Sequence, residues 1–291
     1  MRDPLVILQA LVLIAVSPMV TGLIRKLKNF IRLRKGPGIF QPYYDLAKLA
    51  RKVEAVSRDT SWIFTCAPYI ALGTVLAALF IIPVFGPGIS FDGAGDLIAL
   101  VFLLALGRFF IALAGLDAGS SFGGMGSSRE MFISSLVEPV ALLAVFAVSL
   151  AAGSTMPRAV ASVETLKLSS LVAAGALFIV TLAETSRIPI DNRETHLELT
   201  MVHEAMVLEY SGRSLALIEL ASHIKQVLFF SVIAAVALPH GNYAAKMAAI
   251  AIAVALLEVS MAKMRLFRVV DLMGFSFVFS VIAVVISAMG F

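Results

Sequence analysis

Seven ionisable side chains stand within long apolar stretches of this chain: Arg108, Glu138, Glu184, Glu219, His223, Lys225 and Glu258. A charged group at bilayer depth costs about 3 kcal/mol even on insertion scales, so each needs a partner or a use. Carboxyls, an imidazole and two cations are the groups that exchange protons or hold ions. Counting 1.5 Å per residue from the basic end of each stretch, Arg108 lies ~12 Å deep, Glu138 ~10 Å, Glu219 ~8 Å and His223 ~14 Å, with Glu184 and Glu258 about one turn in. All seven therefore fall in one half of the membrane or near its midplane. That distribution suggests a half-channel open to one side with lateral transfer from its inner end. Glu219, Ser222, His223 and Gln226, spaced i, i+3, i+4 and i+7, are expected on one helix face. Structural ion pairs, Arg108 with Glu138 for example, are the alternative reading for any single residue.

Other chemistry lacks the residues it needs. The chain has one cysteine, Cys66, and four histidines, of which only His223 lies deep in an apolar run. One thiol builds no disulfide, iron–sulfur cluster or zinc-thiolate site, and one buried imidazole builds no bis-histidine haem. The chain is expected to carry no metal, cofactor or catalytic centre of its own, so any redox centres belong to partners.

The elements that must position these residues are membrane helices. Sixty per cent of the 291 residues are hydrophobic, 14% are charged and the mean hydropathy is +0.96, beyond the range of water-soluble domains. Apolar runs of about 20 residues match ~30 Å of hydrocarbon. They predict an all-α, polytopic single membrane domain over residues 1–291, with eight spans at 4–24, 62–83, 96–116, 132–153, 168–187, 214–238, 244–262 and 272–290. The first run is followed, not preceded, by Arg25, Lys26 and Lys28, so it reads as a retained span and not as a signal peptide. Basic residues crowd the odd-numbered loops, from Arg25 to Arg58, at Arg129, at Arg187, Arg193 and Arg213, and from Lys263 to Arg268. The even-numbered loops hold Arg158, Lys167 and Lys246. The positive-inside bias then puts the main loops in the cytoplasm and both termini outside a prokaryotic cytoplasmic membrane. In the first of these loops Tyr43, Leu46, Leu49 and Val53 recur at helical spacing among Asp45, Lys48, Arg51 and Lys52, which predicts an amphipathic helix at the interface or under a partner. Lipid, not nucleic acid, is the expected surrounding.

Two loops carry unusual text. Gly115 to Glu130 is glycine-rich, yet no Gly-Lys-Ser/Thr follows, so it is no phosphate-binding loop; its glycines are expected to pack close to another subunit or to turn the backbone into the protein. Between Glu184 and Tyr210 six acids, Glu184, Asp191, Glu194, Glu198, Glu204 and Glu209, face only Arg187 and Arg193. A loop this acidic beside buried glutamates reads as a cation or proton inlet.

Lys35-Gly-Pro-Gly with Gln41-Pro42 and Asp45-Leu-Ala-Lys48, Arg129 with Ser134-Ser-Leu-Val-Glu138, and Leu182-Ala-Glu184-Thr-Ser-Arg187-Ile-Pro189-Ile-Asp191 together resemble the complex I membrane subunit that holds the peripheral arm, and its relatives in energy-converting membrane-bound NiFe hydrogenases. The resemblance covers nearly the whole chain, and Glu194, Glu198, Glu209 and Tyr210 also fall on family positions. Thr195-His-Leu-Glu-Leu-Thr-Met-Val-His203-Glu204 and Gln41-Pro-Tyr-Tyr-Asp45 look like the hydrogenase branch, which includes subunit 4 of formate hydrogenlyase and the Ech-type enzymes. The sequence departs from the complex I pattern at Val53, where that pattern has a glutamate; here the acid is Glu54. The resemblance implies a non-redox subunit that docks an arm through Asp45, Lys48, Arg129 and the acidic loop. That arm would hold the hydrogenase large and small subunits and a ferredoxin-like subunit, with the NiFe centre and iron–sulfur clusters, and antiporter-like membrane subunits would lie alongside. A quinone-site subunit of a complex I-like dehydrogenase and a stand-alone secondary transporter are the other readings; the transporter would need repeat symmetry, which the sequence lacks.

Overall fold

The computed structural model describes residues 3–57, 59–84, 95–163, 165, 167–192, 201–238 and 241–290. Among them every regular element is a helix: α1 (Asp3–Ile31), α2 (Gln41–Arg51), α3 (Trp62–Ile81), α4 (Leu97–Asp117), α5 (Ser121–Ala152), α6 (Pro157–Ala161), α7 (Leu168–Glu184), α8 (His203–Val207), α9 (Gly212–Ala237), α10 (Tyr243–Ser260) and α11 (Leu266–Ala288). Seven of these are long and apolar enough to cross a membrane, and the 17-residue α7 is apolar but shorter. The eight correspond one to one with the eight expected spans. The chain is a multi-pass membrane protein.

Their starts are written locally. Ser61, Asp96, Ser120 and Asn242 cap α3, α4, α5 and α10 by accepting from Ile63 N, Ala99 N, Gly123 N and Ala244 N, the amides a helix leaves without carbonyl partners. Gly153, at φ 72°, ends α5. Helix α9 is the axis of the bundle, packing against α1, α2, α3, α7 and α10, while α5, α7 and α11 form a second group joined to it through α7. One large apolar core runs through the bundle; a smaller one, with Phe64, Ile111, Met206 and Tyr210, closes the end that carries α2 and α8.

Several boundaries depart from the sequence reading. The Gly115–Glu130 stretch is not a loop, because α5 begins at Ser121, and its Gly115 and Gly126 lie against α8 of the same chain. A Cβ on Gly126 would stand 2.9 Å from Ala205 Cβ and from Met206 N. Helix α1 runs on to Ile31, so Lys28 is a buried helical residue and not a loop charge. The fifth span stops at Glu184: Ser186 N–H donates to Ala183 O (3.1 Å) and Arg187 N–H to Leu182 O (2.9 Å), a Schellman ending with Ser186 at φ 50° where glycine is usual. In the following turn Ile190 and Asp191 donate to Arg187 O, and Met264 N–H donates to Pro189 O at 2.8 Å. Backbone at membrane depth is tolerated when protein satisfies it in this way.

Helix α2 ends at Arg51, leaving Val53 off its face and 92% exposed. It lies clamped against the bundle: Tyr43 Oη donates to Ala15 O, Ser214 donates to Glu54, and Ala55 N–H donates to Ser211 Oγ at 2.8 Å. Gly212, at φ 54°, lets the chain pass beside the carbonyls of Lys52 and Val53.

Candidate functional site

Four spans converge on one charge network. Arg108 of α4 donates from one terminal nitrogen to Glu184 of α7 and from the other to Glu138 of α5, and Lys225 Nζ of α9 stands 2.5 Å from Glu184 Oε2. The side chains of Arg108 and Glu184 are 7% and 6% exposed; that of Glu138 is 42% exposed. The network opens on a cavity of about 60 Å³ lined also by Glu130, His203, Met206 and Ser222. At roughly 10–15 Å³ of such space per water, several waters fit. Glu130 is buried and makes no ion pair with a described basic residue. Three carboxyls, Glu130, Glu138 and Glu184, thus stand about two cations, Arg108 and Lys225.

A second network lies on the other side of α9. Glu258 of α10 pairs with Arg187 (2.6 Å) and with Lys28 of α1 (3.3 Å). Arg187 also donates to Gln226 Oε1 (2.7 Å), which accepts from Thr21 Oγ1 (3.0 Å), and Thr21 stands 3.1 Å from His223 Nδ1. These residues line a second cavity of about 60 Å³. Ser222 of α9 lines both cavities.

The turn after α7 joins the networks to α8. Asp191 accepts from Lys263 Nζ (2.8 Å), Asn192 N (2.8 Å) and His203 N (3.0 Å). Arg129 donates to Met201 O at 2.9 Å. Below α8, Tyr210 stacks on Phe64 with ring centroids 4.1 Å apart and donates to Phe64 O. Burial, with the nearby Asp117 and Glu54 carboxyls, pushes the Tyr210 hydroxyl pKa well above its ordinary value.

Of the residues singled out by sequence, Arg108, Glu138, Glu184 and Lys225 meet in the first network, and His223, Glu258 and Arg187 in the second. The Arg108–Glu138 pair is present, but Glu184 shares the guanidinium. Of the stripe on α9, Ser222, His223 and Gln226 line the second cavity together, Ser222 also lines the first, and Glu219 lines neither. Arg187 pairs with Glu258, and Asp191 accepts from Lys263. Glu204 sits half-buried on α8, Glu209 and Lys48 are exposed, and Asp45 pairs with Gln41 (2.9 Å) and more loosely with Arg25 (3.9 Å). Arg193, Glu194 and Glu198 lie outside the described residues.

Sequence reasoning passed over Glu130, Lys28, Thr21 and His203 as site residues. A signal existed for two of them. Glu130 is i+4 from Gly126 and i+3 from Ser127, hence on the close-packed face of α5, and Lys28 is i+7 from Thr21 on the buried face of α1.

The family model described as NADH dehydrogenase matches residues 4–289. Hydrogenase-4 component C of Escherichia coli (strain K12) is 36% identical over 238 residues, 80% of this chain and 75% of that protein. Formate hydrogenlyase subunit 4 of the same organism is 35% identical over 242 residues, 81% of this chain and 78% of that protein. Among solved structures, a chain of the membrane-bound sulfane sulfur reductase, an archaeal respiratory membrane complex, superposes with a TM-score of 0.83 at 23% identity, covering 97% of this chain and 99% of its own.

Proposed function

Because this chain belongs to the NADH dehydrogenase family of complex I-like membrane subunits, we propose that it anchors the peripheral arm of an energy-converting membrane-bound NiFe hydrogenase and couples that arm to H⁺ or Na⁺ movement. The observation that carries the proposal is the pair of cavity-lining charge networks on either side of α9, with Ser222 lining both cavities. The two relatives at 35–36% identity are named as hydrogenase and hydrogenlyase components, which favours the hydrogenase branch over the quinone-using one. The arm would bring the large and small hydrogenase subunits and a ferredoxin-like subunit, with their NiFe centre and iron–sulfur clusters, while antiporter-like subunits would receive the ion step within the membrane.

The orientation that fits has the basic end, with α2 and α8, in the cytoplasm and both termini outside. An arm docked there would press on α2, Arg129 and the chain from Asp191 to Tyr210. Moving α8 would carry His203 and Met206 relative to Glu130, Glu184, Arg108 and Lys225. A carboxyl in a low-dielectric site holds its proton, and an approaching cation favours its release, so a small displacement changes the charge state. The proton would pass between the cavities beside Ser222 and leave laterally through Glu138.

Purification from the native membrane tests the reading. Hydrogenase subunits with nickel and iron should co-purify with the chain, and hydrogen evolution by inverted vesicles should build an ion gradient. Co-purification with a quinone-reducing arm free of nickel would overturn the hydrogenase reading, and a chain that purifies alone as an active transporter would overturn both.

A further inference from the structure

Gln226 carries an unanswered donor. Arg187 and Thr21 both donate to its Oε1, at 2.7 and 3.0 Å, and a guanidinium, which has no acceptor, fixes which end of the amide is oxygen. The amide nitrogen therefore points away from them. It is buried without a hydrogen-bond partner among the described residues, on a residue only 3% exposed. Such groups are few in native proteins, and each answers to a water, an ion or a function. Gln226 lines the second cavity, about 60 Å³ in volume, which has room for several atoms of water size.

The chemistry of the wall narrows what can enter. Thr21, Arg25 and Lys28 of α1 stand at i, i+4 and i+7, on one helix face, and all three line the cavity. Thr21 is at the inner end beside Gln226. Arg25 lies about 6 Å further along α1 toward its basic end, with its side chain 41% exposed and only loosely paired to Asp45, at 3.9 Å. The two carboxylates of the wall are already held, Glu258 by Arg187 and Lys28, and Asp191 by Lys263 and two backbone amides. Donors thus occupy both ends of the cavity. A metal cation would face Arg25, Lys28 and Arg187 together. A halide would meet one end only, whereas a tetrahedral oxyanion offers oxygens to both, and a guanidinium fork at the rim matches a phosphoryl group. We propose that the cavity between α1, α9 and the turn after α7 is a binding site for a phosphoryl group, whose oxygens accept from Gln226 Nε2 at the inner end and from Arg25 at the rim. A phospholipid headgroup and free phosphate both carry this chemistry. Either occupant ties α1 to α9 through an anion held by both helices.

The test uses the assembled complex, purified from native membranes into phosphate-free buffer. Native mass spectrometry counts the phospholipid retained per chain before and after delipidation, and the delipidated complex is titrated with radiolabelled inorganic phosphate at constant ionic strength. The parent should hold one phosphoryl group per chain. A phospholipid that survives delipidation and blocks phosphate identifies the lipid as the source; saturable phosphate binding to the lipid-free complex identifies the free ion. Gln226→Glu keeps an oxygen for Arg187 and Thr21 but sets a second acceptor where the donor was, so it should weaken binding at least about tenfold. Arg25→Gln, at the exposed rim where folding is not at stake, should do the same, and it carries the test if Gln226→Glu disturbs assembly. Arg32→Gln, exposed and outside the cavity, should leave binding unchanged. Neither retained lipid nor saturable phosphate in the parent would overturn the proposal, as would parent-level binding by an assembled Gln226→Glu or by Arg25→Gln, or an equal loss in Arg32→Gln. The inference goes beyond the hydrogenase reading and does not rest on it: failure of that reading would show as missing nickel and hydrogenase subunits, with the phosphoryl binding intact.

Discussion

Glu184 holds the first network together, so its removal separates a relay from a structural pair. It accepts from Arg108 and Lys225, with no member of the three more than 15% exposed at its side chain. In Glu184→Gln, Arg108 keeps Glu138, but Lys225 keeps no acidic partner among the described residues. Breaking a buried pair from one side costs about 3–5 kcal/mol, roughly two to four orders of magnitude in the folding equilibrium. Adding Lys225→Met removes the stranded ammonium at similar volume. With the ammonium gone and the replacement amide oxygen still able to accept from Arg108, the double variant should recover to within about 1 kcal/mol of the parent. Thermal denaturation of the purified complex reads this recovery, and hydrogen evolution with gradient formation in inverted vesicles reads coupling. The double variant is expected to assemble and evolve hydrogen without building a gradient, because neither replacement exchanges a proton. If it transports ions at the parent rate, Glu184 carries no proton and the relay reasoning for it is refuted.

Gly126→Val should displace α8, since its Cβ would stand within 3.0 Å of Val202 O, Ala205 Cβ and Met206 N; overpacking of this kind costs about 1–3 kcal/mol. Faster hydrogen exchange across residues 201–207 is the expected readout, with Gly124→Val, whose site is open, as the neutral control. For Tyr210 the folded hydroxyl pKa is raised above the unfolded one, near 10, so the stability it contributes is fully present below pH 10 and is lost as pH rises beyond it. Tyr210→Phe keeps the stack on Phe64, loses one hydrogen bond at about 1 kcal/mol, and should flatten the fall of thermal stability measured above pH 10.

What the sequence made legible was local. Runs of about 20 apolar residues mark all eight spans because crossing hydrocarbon imposes both length and composition. Caps such as Asp96 and Ser120 mark their starts. The boundaries that moved are those that packing decides: Ser121 to Glu130 has poor intrinsic helix formers, yet its small residues allow α8 to approach, and burial of that contact overrides propensity. The pairing of the charges was not legible. Glu184 finds Arg108 and Lys225 at separations of 76 and 41 positions, and nothing in spacing states which of several buried carboxyls a guanidinium will choose. His203 was read as part of an acidic loop; its place at the first cavity follows from the turn after α7 folding back through Asp191.

The short α7 has a mechanical consequence. Seventeen residues rise ~25 Å, about 5 Å less than the ~30 Å of a typical hydrocarbon layer. Lipid facing its exposed Leu168 and Leu171 must thin to meet it, at a cost of fractions of a kcal/mol per Å of mismatch. The membrane is therefore a spring pressing on the helix that carries Glu184, and bilayer thickness becomes a variable that sets how near water comes to the buried charges.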